Sequence, residues 1–156
     1  MAAVKPIPDG YPRVTAYLAI DGASDAIEFY KRIFGAEERF RMPQPDGRIG
    51  HAELQLGDSV IMLSDAFPDM GVVDPKRLGG SAVTLTVYVE DVDKTFANAL
   101  ERGAKQLQPV EDKFYGDRAG QFEDPWGHRW NVMTHVEDVS PEEMEKRVAQ
   151  FSAGQG

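Results

Sequence analysis

The chain has 156 residues, which is enough for one domain of ordinary size or for two small modules that share a core. A formal net charge of -9 argues against a nucleic-acid partner, because binding to phosphates requires clustered Lys and Arg. The chain has no cysteine, so disulfides, thiolate metal sites and a cysteine nucleophile are excluded.

The first half of the sequence carries the pattern of one strand, one helix and three further strands. Residues 1–12 contain three prolines and are predicted to form an extended arm. The next segment is rich in apolar and β-branched residues, which is typical of a strand. Apolar residues then recur at helical spacing, and Gly35 has the position of a glycine that ends a helix. The predicted elements are a strand at 14–20, a helix ending at Gly35, and strands at 36–42, 51–56 and 59–64.

The second half repeats this order after a loop at 65–80. Both predicted helices end in Gly-Ala followed by a charged residue, Gly35-Ala36-Glu37 and Gly103-Ala104-Lys105, which indicates a duplicated module. Ser140, followed by proline, is predicted to cap a short C-terminal helix. The other predicted elements are a strand at 82–89, a helix capped by Glu90-Asp91, and strands at 104–110, through Phe122, and at 128–134.

Four segments resemble the vicinal oxygen chelate superfamily (glyoxalase, bleomycin resistance and extradiol dioxygenase), in particular its PhnB-like branch: AIEFYKRIFGAEE, HAELQLGDSVIMLSD, VYVEDVDKTFANALERGA and FYGDRAGQFEDPWGHRW. The resemblance implies an α+β fold of two βαβββ modules, at about 13–66 and 81–136, that form a cupped mixed sheet. The glyoxalase-like domain would span 13–139, between the arm at 1–12 and a C-terminal helix and tail at 140–156.

Strand alternation sorts the side chains into a helix-covered face and a face that lines the expected cup. The cup-facing set mixes hydroxyl, amide, imidazole and aromatic groups, which suits a small amphipathic ligand. The segment 111–118 is open to two interpretations, a long connection or a lid whose Phe114 and Tyr115 close over the cup. The predicted ligand-binding residues are Thr15, Tyr17, His51, Met62, Thr84, Tyr88, Tyr115, Arg129 and Asn131.

The resemblance also implies where a divalent metal would bind, namely through His and Glu on the first and last strands of each module. Those positions fall on Thr15, Met62, Thr84 and Asn131, whose hydroxyl, thioether and amide groups are poor ligands for a divalent ion. We therefore expect no metal at these positions and no other cofactor.

His51 and Glu53 are the candidate catalytic residues. They are two residues apart on one predicted strand and so share a face, as an acid–base pair or a relocated metal site would require. The alternative is structural: Glu53 would pair with Arg48 or Arg129, and His51 would form a hydrogen bond at a sheet edge. His128, beside the Asp-Pro-Trp-Gly turn, is expected to be structural.

Two functions remain open at this point. The first is a glyoxalase/bleomycin-resistance-like binder of a small molecule without the usual metal. The second is a metal-free or relocated-metal lyase, isomerase or dioxygenase that uses His51 and Glu53. The residues do not identify the ligand.

The location and assembly of the protein are expectations of the same kind. No apolar segment has the length of a membrane span and the N-terminal residues lack an apolar signal region, so we expect no membrane partner and a cytoplasmic location. A homodimer is expected because sheet edges tend to be covered and because Met144, Val148 and Phe151 form an apolar stripe on the last helix. Whether the modules pair within one chain or between two chains stays open.

Overall fold

The structure is a computed structural model that describes residues 3–155, and its contacts divide the chain into two compact units at the Gly80–Ser81 boundary. Each unit contains one four-stranded mixed sheet with a long helix between its first and second strands. This is the predicted order of one strand, one helix and three strands, present twice. The α+β fold with two βαβββ modules is confirmed.

In the first unit the sheet has the strand order β1-β4-β3-β2, with β1 parallel to β4 and the other pairs antiparallel. Helix α1 covers one face of this sheet, and Ile27 and Tyr30 of the helix have no measurable exposure, like Ile20 and Leu54 of the sheet. Gly35 ends the helix with a φ of 67°, as its sequence position predicts. The elements are β1 (Ala16–Ile20), α1 (Ala23–Phe34), β2 (Glu37–Pro43), β3 (Ile49–Leu56) and β4 (Ser59–Asp65).

The segment that follows β4 contains a 3-10 helix at Pro68–Met70 and a one-turn helix, α2 (Pro75–Leu78). The second unit then has the strand order β5-β8-β7-β6. Asp91 caps helix α3, because its carboxylate accepts a hydrogen bond from the backbone N–H of Lys94. The elements are β5 (Thr84–Tyr88), α3 (Val92–Glu101), β6 (Lys105–Asp112), β7 (Asp117–Glu123), β8 (Arg129–His135) and α4 (Pro141–Ala153).

The predicted C-terminal helix is present as α4, with the Ser140 hydroxyl accepting from the backbone N–H of Glu143. It packs on its own unit through the rings of Phe151 and Phe114, whose centroids lie 4.9 Å apart. The guanidinium of Arg147 adds a hydrogen bond to the carbonyl of Phe114. Part of the predicted apolar stripe is thus covered within the second unit, although half of Phe151 stays exposed.

Three expectations from strand patterning are corrected. Strands β1 and β5 begin two residues later than predicted, so Val14 and Val83 are exposed and do not face the helices. The segment 111–118 is not a long connection. Its ends belong to β6 and β7, and only a turn at 113–116 joins the two strands, closed by a hydrogen bond from the Gly116 N–H to the Lys113 carbonyl.

Candidate functional site

A chain of hydrogen bonds crosses the face of the first sheet that α1 leaves open. The Tyr17 hydroxyl lies 2.9 Å from Nδ1 of His51, and Nε2 of the same ring lies 3.2 Å from Oε1 of Glu53. The Tyr11 hydroxyl donates to the other carboxylate oxygen of Glu53 at 2.7 Å. The two candidate catalytic residues therefore contact each other, between two tyrosines.

Strand register explains why these side chains meet. Tyr17 on β1 pairs with Met62 on β4, Met62 pairs with Glu53 on β3, and Glu53 pairs with Phe40 on β2, so the four residues form one row across the sheet. His51 lies two residues before Glu53 and so shares its face. The predicted placement of Tyr17, His51, Glu53 and Met62 on one face agrees with this register.

The electrostatics of the row favour an ionised Glu53. Burial raises the pKa of its carboxyl, but the hydrogen bonds from Tyr11 and His51 outweigh burial and hold the pKa below its ordinary value. The same hydrogen bond raises the pKa of the Tyr11 phenol, which stays protonated as the donor. An ionised Glu53 accepts from Nε2–H of His51, and in the tautomer that carries its proton on Nε2 the Nδ1 atom can accept from Tyr17.

A cavity of about 360 Å³ opens on this face and is lined by Tyr11, Arg39, Phe40, His51 and Glu53. Its walls are two aromatic rings, and its polar groups are an imidazole, a carboxylate and a guanidinium. The Phe40 ring is half exposed and its centroid lies 6.1 Å from that of His51. Aromatic rings beside polar groups that can orient a ligand are found in small-molecule sites.

Three of the five lining residues were missed by sequence reasoning. Pairing shifts by one residue between Glu38 and Phe40, so Arg39 is the extra residue of a β-bulge. Without the bulge, Arg39 would oppose Glu53 and Phe40 would point to the helix side. Tyr11 belongs to the arm, and its pairing with a residue 42 positions away has no local signal in the sequence.

The structural alternative considered for Glu53 is partly corrected by these contacts. Arg48 does not pair with Glu53, because its guanidinium binds the carboxylate of Asp46 in the same turn. The partners of Glu53 are Tyr11 and His51 instead. His51 also lies on β3, which is an inner strand of the sheet and not an edge.

The positions implied for a superfamily metal do not fit a divalent ion. Thr15 precedes β1, and the residue that pairs with Met62 is Tyr17; in the second sheet Asn131 pairs with Thr86, not with Thr84. Neither the positions implied by the resemblance nor the residues that actually pair there carry an imidazole or a carboxylate. The Asn131 amide donates to the Met133 sulfur at 3.3 Å. Within residues 3–155, no group of three or more His, Asp or Glu side chains is arranged to hold a metal ion.

The second unit has a separate polar network at one end of its sheet. Asp117, which is 5% exposed, accepts from the Tyr88 hydroxyl and lies 2.8 Å from Nδ1 of His135. Nε2 of His135 lies 2.8 Å from Asp138. Hydrogen bonds to Asp138 and then Asp117 raise the pKa of His135, and the bond to Asp117 raises the pKa of the Tyr88 phenol.

The remaining predicted ligand-binding residues lie at separate places in the second unit. Thr84 and Arg129 are exposed partners at the start of the β5–β8 pair, and Asn131 is half-buried on β8. Tyr115 lies in the 113–116 turn with its ring against Phe114. None of the four forms a hydrogen bond with Tyr88, Asp117 or His135 among the described contacts, although the charge of Tyr115 contributes to the raised pKa of Tyr88.

His128 has the structural position that its turn predicts. Its backbone N–H donates to Asp124, whose carboxylate also accepts from the backbone of Trp126 and from the indole of Trp130. His128 is 9% exposed and Asp124 is 2% exposed. The turn thus fixes the buried Trp130 at the start of β8.

Two βαβββ units, each with a helix on one face of a mixed sheet and an open face opposite, define the glyoxalase type of α+β protein. A sequence model of the Glyoxalase/Bleomycin resistance protein/Dioxygenase superfamily matches residues 13–132, and the chain belongs to this superfamily.

The chain is also similar to individual relatives and solved structures. An uncharacterized protein of Mycobacterium bovis is 38% identical over 148 residues, which cover 93% of this chain and 96% of the relative. The crystal structure of TioX from Micromonospora sp. ML1 is similar with a TM-score of 0.61 and 26% identity, over 83% of this chain and 100% of TioX. A PhnB protein from Bacillus cereus has the same fold, with a TM-score of 0.62 and 20% identity over 79% of this chain and 99% of that protein.

Over residues 3–155, none of the helices combines the length and apolar character needed to cross a bilayer.

Proposed function

We propose that this superfamily member binds a small amphipathic molecule over the open face of its first sheet, without the metal ligands usual in the superfamily. The observation that carries the proposal is the 360 Å³ cavity, whose lining combines the Tyr11 and Phe40 rings with the His51–Glu53 pair. This volume lies within the range of roughly 300–1,000 Å³ that is typical of small-molecule pockets.

We also propose a branch of the superfamily, a location, an assembly and module boundaries for this chain. We place the chain in the PhnB-like branch and take it to be a cytoplasmic homodimer with modules at 13–66 and 81–136. We also propose that second-unit residues contact a ligand, namely Thr84, Tyr88, Tyr115, Arg129 and Asn131.

A fluorescence titration with an amphipathic planar dye tests the binding site. Phe40→Ala removes an aromatic wall that is half exposed in the free protein and should weaken dye binding about tenfold, which corresponds to roughly 1.4 kcal/mol. Met70→Ala is the matched control, because Met70 is 79% exposed and lies outside the cavity lining. Equal weakening by both variants, or no binding to the parent chain, would contradict the proposal.

One observation favours a second candidate, a metal-free enzyme that moves protons. Glu53, His51 and Tyr17 form a carboxylate–imidazole–phenol chain in which the carboxylate orients the ring and the ring accepts from a half-exposed phenol. This is the arrangement in which an oriented base activates a neighbouring hydroxyl group. A Tyr17 phenolate formed by proton transfer to Nδ1 could then remove a proton from a bound carbon acid.

Hydrogen–deuterium exchange into a panel of carbon acids, followed by NMR, separates the two candidates. If the protein is such an enzyme, the parent chain should catalyse hydrogen–deuterium exchange in at least one carbon acid. Both Tyr17→Phe and His51→Gln should lose this activity. Dye binding without exchange in any carbon acid would leave the binding function and reject the enzyme.

A further inference from the structure

The N-terminal arm contributes one side chain to the cavity and is held to the first sheet at that point. The Tyr11 hydroxyl donates to Oε2 of Glu53 at 2.7 Å, and Nη1 of Arg39 donates to the Gly10 carbonyl at 3.0 Å. The Arg39 guanidinium also lies 4.5 Å from the centroid of the Tyr11 ring. By contrast, residues 3–10 are exposed, and the ion pair between Lys5 and Asp9 is local to the arm.

Glu53 needs a donor at this position. Its carboxylate is nearly buried, and each oxygen accepts a hydrogen bond, one from His51 on the same strand and one from Tyr11. The first donor is fixed by the sheet, whereas the second belongs to an exposed segment outside any helix or strand. An ionised carboxylate without its donor would lose a charge-assisted hydrogen bond, so a different donor can replace Tyr11 if it fits the same space.

The surroundings of Tyr11 favour one chemical class for that donor. Glu53 would accept from an alcohol, a phenol or an ammonium group. The guanidinium of Arg39, however, attracts a neutral aromatic ring through its π face and repels a cation. A planar ring that carries a hydroxyl group satisfies both residues, because the ring lies under Arg39 while the hydroxyl reaches Glu53.

We infer that the ligand of this site is a phenol and that Tyr11 is a built-in occupant, which a phenolic ligand displaces from Glu53. The inference rests on the binding function proposed above and names its ligand class. Displacement releases the Tyr11 side chain, since its contact with Glu53 and its ring contact with Arg39 both pass to the ligand.

Competition with the arm has a measurable consequence. A tethered group has an effective concentration on the order of millimolar, so Tyr11 lowers the apparent affinity for a competing phenol. Removing the Tyr11 side chain frees Glu53 and Arg39 together. A variant without this side chain should then bind a free phenol that has the same structure as the missing tyrosine side chain.

The test is a titration of full-length Tyr11→Ala with 4-methylphenol, which is the tyrosine side chain as a separate compound, followed by NMR at His51 and Phe40. We expect 4-methylphenol to bind this variant at least about tenfold more tightly than it binds the parent chain, and more tightly than toluene, which lacks the hydroxyl. Lys5→Ala is the matched control, because it changes the arm without touching the cavity, and it should bind like the parent chain.

Two further variants, each made in the Tyr11→Ala background, separate the contributions of the two partners. Glu53→Gln replaces the carboxylate with a neutral amide and should reduce the preference for 4-methylphenol over toluene. Arg39→Gln should weaken the binding of both compounds and keep that preference. A folded spectrum of each variant is required, and Arg39→Gln keeps the test available if Glu53→Gln does not fold.

Equal affinity of Tyr11→Ala for 4-methylphenol and toluene would overturn the inference, and so would equal affinity of 4-methylphenol for this variant and the parent chain. In either case, dye binding that depends on Phe40 would leave the proposed function intact. If neither dye nor phenol perturbs His51 and Phe40 in any variant, both the inference and the proposed function are rejected.

Discussion

The Tyr17 hydroxyl lies 2.9 Å from Nδ1 of His51, on the side of the ring opposite Glu53. Because Glu53 accepts from Nε2, the neutral ring should carry its proton on Nε2 and leave Nδ1 as the acceptor. Nitrogen-15 NMR of the neutral ring should therefore show the Nε2–H tautomer.

Glu53→Gln should increase the share of the Nδ1–H tautomer. The reason is that an amide can both donate and accept a hydrogen bond, so it no longer requires a proton on Nε2. Tyr17→Phe is the control that keeps Glu53 and should keep the Nε2–H form. A parent chain with the proton on Nδ1 would contradict the hydrogen-bond assignment.

Asp65 ties three parts of the first unit together and should be important for stability. Its buried carboxylate accepts from the backbone N–H groups of Gly22 and Ala23 at the start of α1, and from Ile49 at the start of β3. Asp65→Ala leaves these donors without a partner and should lower the free energy of unfolding by about 2–4 kcal/mol. Urea denaturation measures the loss.

Asp58→Ala is the control for that experiment, because Asp58 is exposed in the β3–β4 turn. It should change stability by no more than about 0.5 kcal/mol. A similar small effect for Asp65→Ala would show that the three backbone contacts contribute little.

His135 should make the stability of the second unit depend on pH. Hydrogen bonds to Asp138 and Asp117 raise its pKa in the folded chain above the ordinary value of about 6.5. A group whose pKa is higher in the folded than in the unfolded chain contributes to the free energy of unfolding. This contribution is complete at pH values below the pKa of the unfolded chain, and it is lost as the pH rises through the pKa of the folded chain. Urea denaturation should therefore show a stability advantage of the parent chain over His135→Gln at about pH 6 that shrinks by about pH 8.

Either a constant difference across that range or one that grows with pH would contradict the assignment. Asp138→Asn should give part of the same effect, because it removes the negative charge beside Nε2 and keeps Asp117.

The chain should form a homodimer in solution. Light scattering at micromolar concentration should give about twice the chain mass of 17.3 kDa. The structure covers part of the α4 stripe within the second unit, so the sheets would have to supply most of the contact. A monomer over a hundredfold concentration range would reject the dimer.

Local sequence signals predicted the order of the strands and of the three longer helices, whereas the two short helices at Pro68–Met70 and Pro75–Leu78 lie in a segment that was predicted to be a loop. Helix α1 ends at Gly35 where the pattern indicates, Asp91 caps α3, and Ser140 caps α4. Strand alternation also placed Tyr17, His51 and Glu53 on one face, since the side-chain period of a strand is two.

The site was only half predictable, for reasons that are physical. The β-bulge at Arg39 changes the face of the sheet on which Phe40 lies. The sequence of Glu37–Pro43 contains no turn residue at Arg39 that would predict this bulge. The contact between Tyr11 and Glu53 joins an arm to a strand through tertiary structure alone. The segment 111–118 looked long because its charged ends do not show strand alternation, yet they pair in register as Glu111 with Ala119 and Asp112 with Arg118.

The most direct test of the binding function is chemical-shift mapping of the full chain with a planar amphipathic dye. The cavity predicts perturbations at Tyr11, Phe40 and His51, with the indole of the buried Trp130 in the second unit unchanged as an internal reference. Perturbations confined to the α1-covered face, at residues such as Ile27 and Leu54, would contradict the account.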